Sequence, residues 1–324
     1  MAHQLTKNII TKKFEMAYVG EAPWHGLGQQ LTEGASIDEW KHQAGMAWEI
    51  KSTPVLYADD QGVVSFPGRQ ALYRGDTRQP LSVVSDTYQV VQPGEILEFF
   101  RDLVAVEGMS LHTAGTLFGG RRFWALASMD LAASIRASKD QVKGYVLLIS
   151  SCDGSLTTIG KFTAIRVVCN NTATMALSQD QETEIRVPHS TRFKPELMKA
   201  RLAEGHTRFQ EFVDAAQQLS RVKTSEQLAS EFIAKLLHDT KTIYTEDATK
   251  TRQHQTIMQL YQGAGKGAQL SGVKGTAWGL VNAVTEFVDH HARVKTPDAR
   301  LESAWTGRGD KLKTEALHRA LELV

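Results

Sequence analysis

Apolar and polar positions alternate through the first half of the chain and recur at helical spacing through the second. Trp48-Glu49-Ile50-Lys51 alternates, Pro54-Val55-Leu56-Tyr57 carries the run to a sheet edge, and Asp59-Asp60-Gln61-Gly62 supplies a hairpin turn. Residues 69–74 return, Gly75-Asp76 turns the chain again, and residues 81–85 with 88–91 make a further strand kinked at Asp86. This pattern predicts an antiparallel meander. Two helices are set among these strands. Ser36-Ile37-Asp38-Glu39 is a capping box ahead of Trp40 and Met46, and Pro93 opens a helix whose Ile96, Leu97, Phe99, Phe100, Leu103 and Val104 share one face.

A second hairpin runs from 111–118 through Gly119-Gly120 into Arg121–Ala127, and a third joins 144–151 to 157–169 through Asp153-Gly154. Within the third returning strand, Phe162–Cys169 is an apolar run with one charge inside it, Arg166. A charge in such a run marks an exposed edge or holds an anion, a carboxylate or a phosphate. Asn170-Asn171 is read as a turn into a short helix over 172–177. Residues 179–192 read as a loop or edge strand. Beyond Pro195 the spacing is helical, with starts at Thr224-Ser225 and Thr276 and a closing helix over 311–324. The fold class is therefore α+β: an antiparallel β-meander with packed helices, then a mainly helical part. The organisation expected is an arm over 1–34, an α+β domain over 35–192 and a helical domain over 193–324.

Charge narrows the chemistry. Lys+Arg 37 against Asp+Glu 36 gives no global field for nucleic acid or membrane, so polyanion binding needs a local patch. No apolar run spans a bilayer, the N-terminus lacks a signal-peptide pattern, and Cys152 and Cys169 read as reduced thiols, so a cytoplasmic setting is expected. Arg121-Arg122 beside Phe123-Trp124 is the best local basic and aromatic surface; a solubilising hairpin tip is the plain alternative. Trp24-His25 in a Gly-rich loop reads either as a ligand loop or as an anchor for the arm. Gly263-Ala264-Gly265-Lys266-Gly267 fails the phosphate-loop pattern, because Ser or Thr does not follow the Lys and no strand precedes it. Asn282, Glu286 and His290 share a helix face, with Asp289 adjacent; Glu286, Asp289 and His290 are weak metal or acid–base candidates on a face that reads as solvated or hydrogen-bonded. No cofactor is indicated, and no nucleophile motif supports an enzyme.

Several motifs taken together point to a family. Trp24–Gly28, Leu81–Tyr88, Val91–Glu95, Ala114–Arg122, Ser150–Ser155, Arg166–Thr172 and Gly275–Glu286 resemble the phage/plasmid-like protein family, domain of unknown function 932, over roughly residues 15–324. The resemblance implies a mobile-element setting in a bacterial host and no established activity. From that setting the leading expectation is a homo-oligomer that binds single-stranded DNA in recombination, annealing or replication. Arg69, Arg74, Arg121, Arg122, Lys161 and Arg166 would track the backbone, with Phe123 and Trp124 for stacking. The alternatives are a module that binds a host defence protein, marked by an exposed apolar patch without a basic groove, and a metal-dependent nuclease or hydrolase.

Overall fold

The computed structural model describes residues 7–20, 26–107, 109–136, 139–168, 171–175, 177, 184–190, 204–243 and 247–324. The chain is α+β, with strands mainly in its N-terminal half and helices in its C-terminal part. Strands β1 (Met16–Val19), β2 (Gln29–Leu31), β3 (Ile50–Asp59), β4 (Gly62–Arg74), β5 (Pro80–Ser85), β6 (Ser110–Leu117), β7 (Arg122–Ser134), β8 (Gln141–Ser151), β9 (Thr158–Arg166), β10 (Asn171–Thr174) and β11 (Glu184–Val187) form two sheets. One runs β10-β9-β8-β7-β6-β1-β2, with β11 also on β9; the other is the meander β3-β4-β5. The chain divides into two compact units, Met1–Met129 with Val146–Lys161 and Glu184–Ala203, and Asp130–Tyr145 with Phe162–Thr183 and Glu204–Val324.

In the first unit, α1 (Ile37–Gln43) begins where Ser36 accepts from the Glu39 N–H, and α2 (Pro93–Glu107) begins where Glu95 reaches back to the Gln92 N–H. Ile96, Leu97, Phe99 and Phe100 of α2 are buried. The expected Gly-Gly hairpin forms, with Gly119 and Gly120 at positive φ between β6 and β7. The meander ends at Ser85. Residues 88–91 join no ladder, because their polar groups find other partners: the Gln89 N–H goes to the His189 carbonyl and the Tyr88 hydroxyl to the Ser151 carbonyl.

In the second unit, α3 (Gly205–Leu219), α4 (Glu226–Asp239), α5 (Arg252–Gln259), α6 (Ala277–Glu286), α7 (Pro297–Trp305) and α8 (Arg308–Leu321) supply the core. Ser225 and Thr276 cap α4 and α6, and every residue of α6 is buried. The helix expected to reach His291 is α-helical to Glu286 and continues as a wider turn over Phe287–His291, closed by the Ala292 N–H on the Phe287 carbonyl. The helix expected over 172–177 is instead strand β10, with Thr172 opposite Ile165 and Thr174 opposite Thr163. Threonine loses rotamer freedom in a helix and suits a paired strand, which outweighs the capping signal of the Asn pair. Residues 195–203, expected to be helical, lie outside the described residues. Among the described residues no helix is long and apolar enough to cross a membrane.

Candidate interaction surface

The first unit uses arginine internally. Arg74 ends β4 on the same face as the buried Leu72. Its guanidinium donates to both Glu15 carboxylate oxygens (2.8 and 3.0 Å), both Asp76 oxygens (2.9 and 3.0 Å) and the Gly119 carbonyl, and lies 4.1 Å over the Trp48 ring. The Thr116 hydroxyl also donates to Glu15. Burial works against the Arg74 charge, but the hydrogen bonds to Asp76 and Glu15 outweigh it and hold the guanidinium above its ordinary pKa. Burial likewise pushes Asp76 up, and its bond to Arg74 outweighs that and holds the carboxyl below its usual range.

The other expected nucleic-acid residues divide between core and surface. Phe123 and Trp124 are 0% and 1% exposed, so neither ring offers a face to a base. Arg122 is buried, donates to the Ser155 hydroxyl and lies 5.2 Å over the Phe118 ring; Lys161 is buried in β9. Arg69 and Arg121 are exposed, and Arg121 Nε donates to the Phe118 carbonyl. Cys152 is fully buried beside the Gly120 and Arg121 carbonyls, and burial pushes its thiol up to about 12, which removes it as a nucleophile at neutral pH. Trp24, His25 and Cys169 lie outside the described residues.

The second unit resolves the question posed by Arg166. It holds a carboxylate: its Nε donates to Asp140 at 2.6 Å, with Asp140 0% and Arg166 3% exposed. Trp278 Nε1–H donates to the other Asp140 oxygen, and Arg166 also donates to the Lys266 and Gly267 carbonyls. A small cavity lies against Arg166 and Trp278, lined also by Val142, Ala164, Phe212, Val281, Asn282 and Thr285. The metal candidates are engaged as well. Glu286 accepts the Lys266 N–H, which pins the glycine-rich run; Asp289 pairs with Lys313 at 2.9 Å and accepts the Thr172 N–H and hydroxyl; His290 is half-buried. Asn282 donates back to the Trp278 carbonyl. Of the two readings of this face, solvated or hydrogen-bonded, the structure shows the hydrogen-bonded one, and the face is largely buried. Among the described residues, no group of three or more His, Cys, Asp and Glu could hold a metal ion.

What the first unit leaves in water is apolar. The β3–β4 ladder is regular from Ile50↔Arg74 to Pro54↔Gln70 and resumes at Leu56↔Ser65, so residues 66–69 stand opposite Val55 alone. Pro67, which has no N–H, and Gly68 at φ +70° fall in this bulge. Beyond it, Tyr57 pairs with Val64 and Ala58 with Val63. Strand alternation puts Lys51, Thr53, Val55, Tyr57 and Asp59 on one face of β3, opposite the side that buries Ile50. Val64 joins this outer face through its pairing with Tyr57, Phe66 through an edge contact 6.4 Å from the Tyr57 ring, and Val83 through the neighbouring β5. Tyr57, Val64, Phe66 and Val83 are 47%, 40%, 49% and 59% exposed. Leu56 and Val63, on the opposite face of the hairpin end, are exposed too. Apolar residues at alternate strand positions ordinarily mark a buried face, which masks this exposure in the sequence. The Pro67-Gly68 pair, unusual inside a strand, was the available hint.

No curated protein and no solved structure matches the chain. A family model described as "Domain of unknown function (DUF932)" matches residues 80–305, which begins at β5 and leaves β3 and β4 before it. That match takes in well over half of the sequence, and the chain belongs to the DUF932 family.

Proposed function

We propose that the chain is a protein-binding module whose working element is the outer face of the β3–β4 arm. The observation that carries this reading is the exposure of Tyr57, Val64 and Phe66 side by side beyond the bulge, with Val83 exposed on the same face two strands over. Together the four residues leave roughly 400 Å² in water, within the roughly 300–600 Å² that the largest apolar patch of a typical monomer reaches, where it is often functional. Covering it would contribute roughly 10 kcal/mol at 25 cal/mol per Å², against association costs of similar size. The single-stranded DNA reading has less support: of the cationic residues expected to track a backbone, only Arg69 and Arg121 are exposed, and the aromatic pair is core.

The test is photo-crosslinking in the cells that carry the protein, with a benzophenone amino acid at Val64. The expected result is one discrete protein adduct that disappears when Tyr57→Ser and Phe66→Ser are added. No adduct of any kind from the arm would overturn the reading.

A further inference from the structure

Every apolar ring on the arm has an acid on one side of it and a base on the other. On the outer face, Asp59 lies at the tip and Asp60 follows in the turn, while Arg69 stands opposite Val55 and Lys51 lies further back on β3. Along the strand, Arg69 is set back from Asp59 by about 13 Å and Lys51 by about 26 Å at strand rise. All four side chains are exposed, and among the described residues none of them holds an ion pair. Tyr57, Val64 and Phe66 occupy the interval between Asp59 and Arg69.

We infer that the partner of this arm is a second copy of the same chain. The inference rests on the module reading above and adds the identity of the partner. A two-fold axis at the level of Tyr57 and Val64 lays the two outer faces together with the arms antiparallel. The aromatic and valine side chains then pack on their own copies, at the roughly 10 Å spacing of stacked sheets. The same axis brings Asp59 of each copy onto Arg69 of the other, twice. A polar order of acid, apolar patch and base along one strand direction is self-complementary only in this antiparallel sense. A partner with a uniformly basic or uniformly acidic groove would meet one end of the arm with like charge. The overlapping tip covers roughly 500 Å² per copy, at the low end of specific interfaces, so the dimer forms in the tens-of-micromolar range and not below it.

The experiment is sedimentation equilibrium of the purified full-length chain from a few to several hundred micromolar at low salt. Wild type is expected to shift from one-chain to two-chain mass across that range. Arg69→Glu alone and Asp59→Lys alone each place like charges together at both ends, and each is expected to weaken self-association at least about tenfold. An equimolar mixture of the two variants restores both attractions and should form a one-to-one dimer at the wild-type concentration. Leu56→Ser with Val63→Ser, on the opposite face, should leave the midpoint within about threefold. Circular dichroism checks that each variant is folded. Wild type at one-chain mass throughout overturns the inference, and so does a folded mixture that associates no better than its components. If wild type stays single while crosslinking from Val64 still yields one adduct with a different protein, the module reading stands and the second copy does not. If no adduct forms at all, both fall.

Discussion

Replacing Arg166 by Met tests how the second unit is held together. The substitution roughly keeps the volume of the side-chain stem and removes the charge. It takes away the 2.6 Å bond to Asp140 and the donors to the Lys266 and Gly267 carbonyls, and leaves a fully buried carboxylate with the Trp278 indole N–H. Removing one partner of a buried pair is destabilising by about 3–5 kcal/mol, because the remaining ion has lost its water and its counter-charge. For a unit of this size each kcal/mol lowers the melting temperature by about 2–4 °C, so a drop of roughly 10 °C is expected. The assay is thermal unfolding followed by near-UV circular dichroism. The double variant Arg166→Met with Asp140→Leu removes the orphaned charge and should recover most of the loss, since a well-packed apolar pair can replace a buried ion pair at little cost. A single-variant loss under about 1 kcal/mol, or a double variant no better than the single, would refute the reasoning.

Three further outcomes follow from the same contacts. Gly120→Ala would place a Cβ 2.6 Å from Trp48 and 2.9 Å from an Arg74 nitrogen at φ +94°, and should cost about 2–4 kcal/mol, read as a shift in urea midpoint. Burial raises Cys152 from 9.0 to about 12 and raises Tyr88 in the same direction, so between those values the unfolded chain has lost protons that the folded chain keeps. Stability should therefore fall as pH rises from 9 toward 12, with a shallower fall in Cys152→Ala; a flat urea midpoint across that range would contradict this. Burial lowers His189 below its ordinary value even though the Leu156 and Gln89 carbonyls face its two ring nitrogens and push it up. Its contribution to stability is complete above pH 6.5 and is lost as pH falls through that value, and its NMR titration midpoint should lie below 6.5.

Local chemistry was legible in the sequence and long-range pairing was not. The Asp59–Gly62, Gly119-Gly120 and Asp153-Gly154 turns and the Ser36 and Ser225 caps appear where their residue types require them, because turns and caps depend on neighbours a few positions away. The sequence could not choose between an exposed edge and a held anion for Arg166, since its carboxylate lies 26 residues off and its carbonyl partners 100 and 101. Arg74 meets Glu15 across 59 residues, so a strand-end arginine that reads as a surface charge is instead a buried one. Arginine count therefore says little about surface potential in this chain. Exposure of the arm was hidden for the opposite reason: Tyr57, Val64 and Phe66 fit the pattern of a buried strand face, and only the bulge at Pro67-Gly68 carries the hairpin end out of the ladder that buries Leu72.

Amide hydrogen exchange across residues 55–66, followed in the full-length chain at rising concentration, tests most directly whether the exposed face of β3–β4 is a working surface. The account predicts slow exchange of Tyr57, Val64 and Phe66 at several hundred micromolar and fast exchange on dilution, with the same residues fast at every concentration in Tyr57→Ser with Phe66→Ser. Equally fast exchange in the wild type at all concentrations, and no slowing in an extract of the cells that carry the protein, would contradict it.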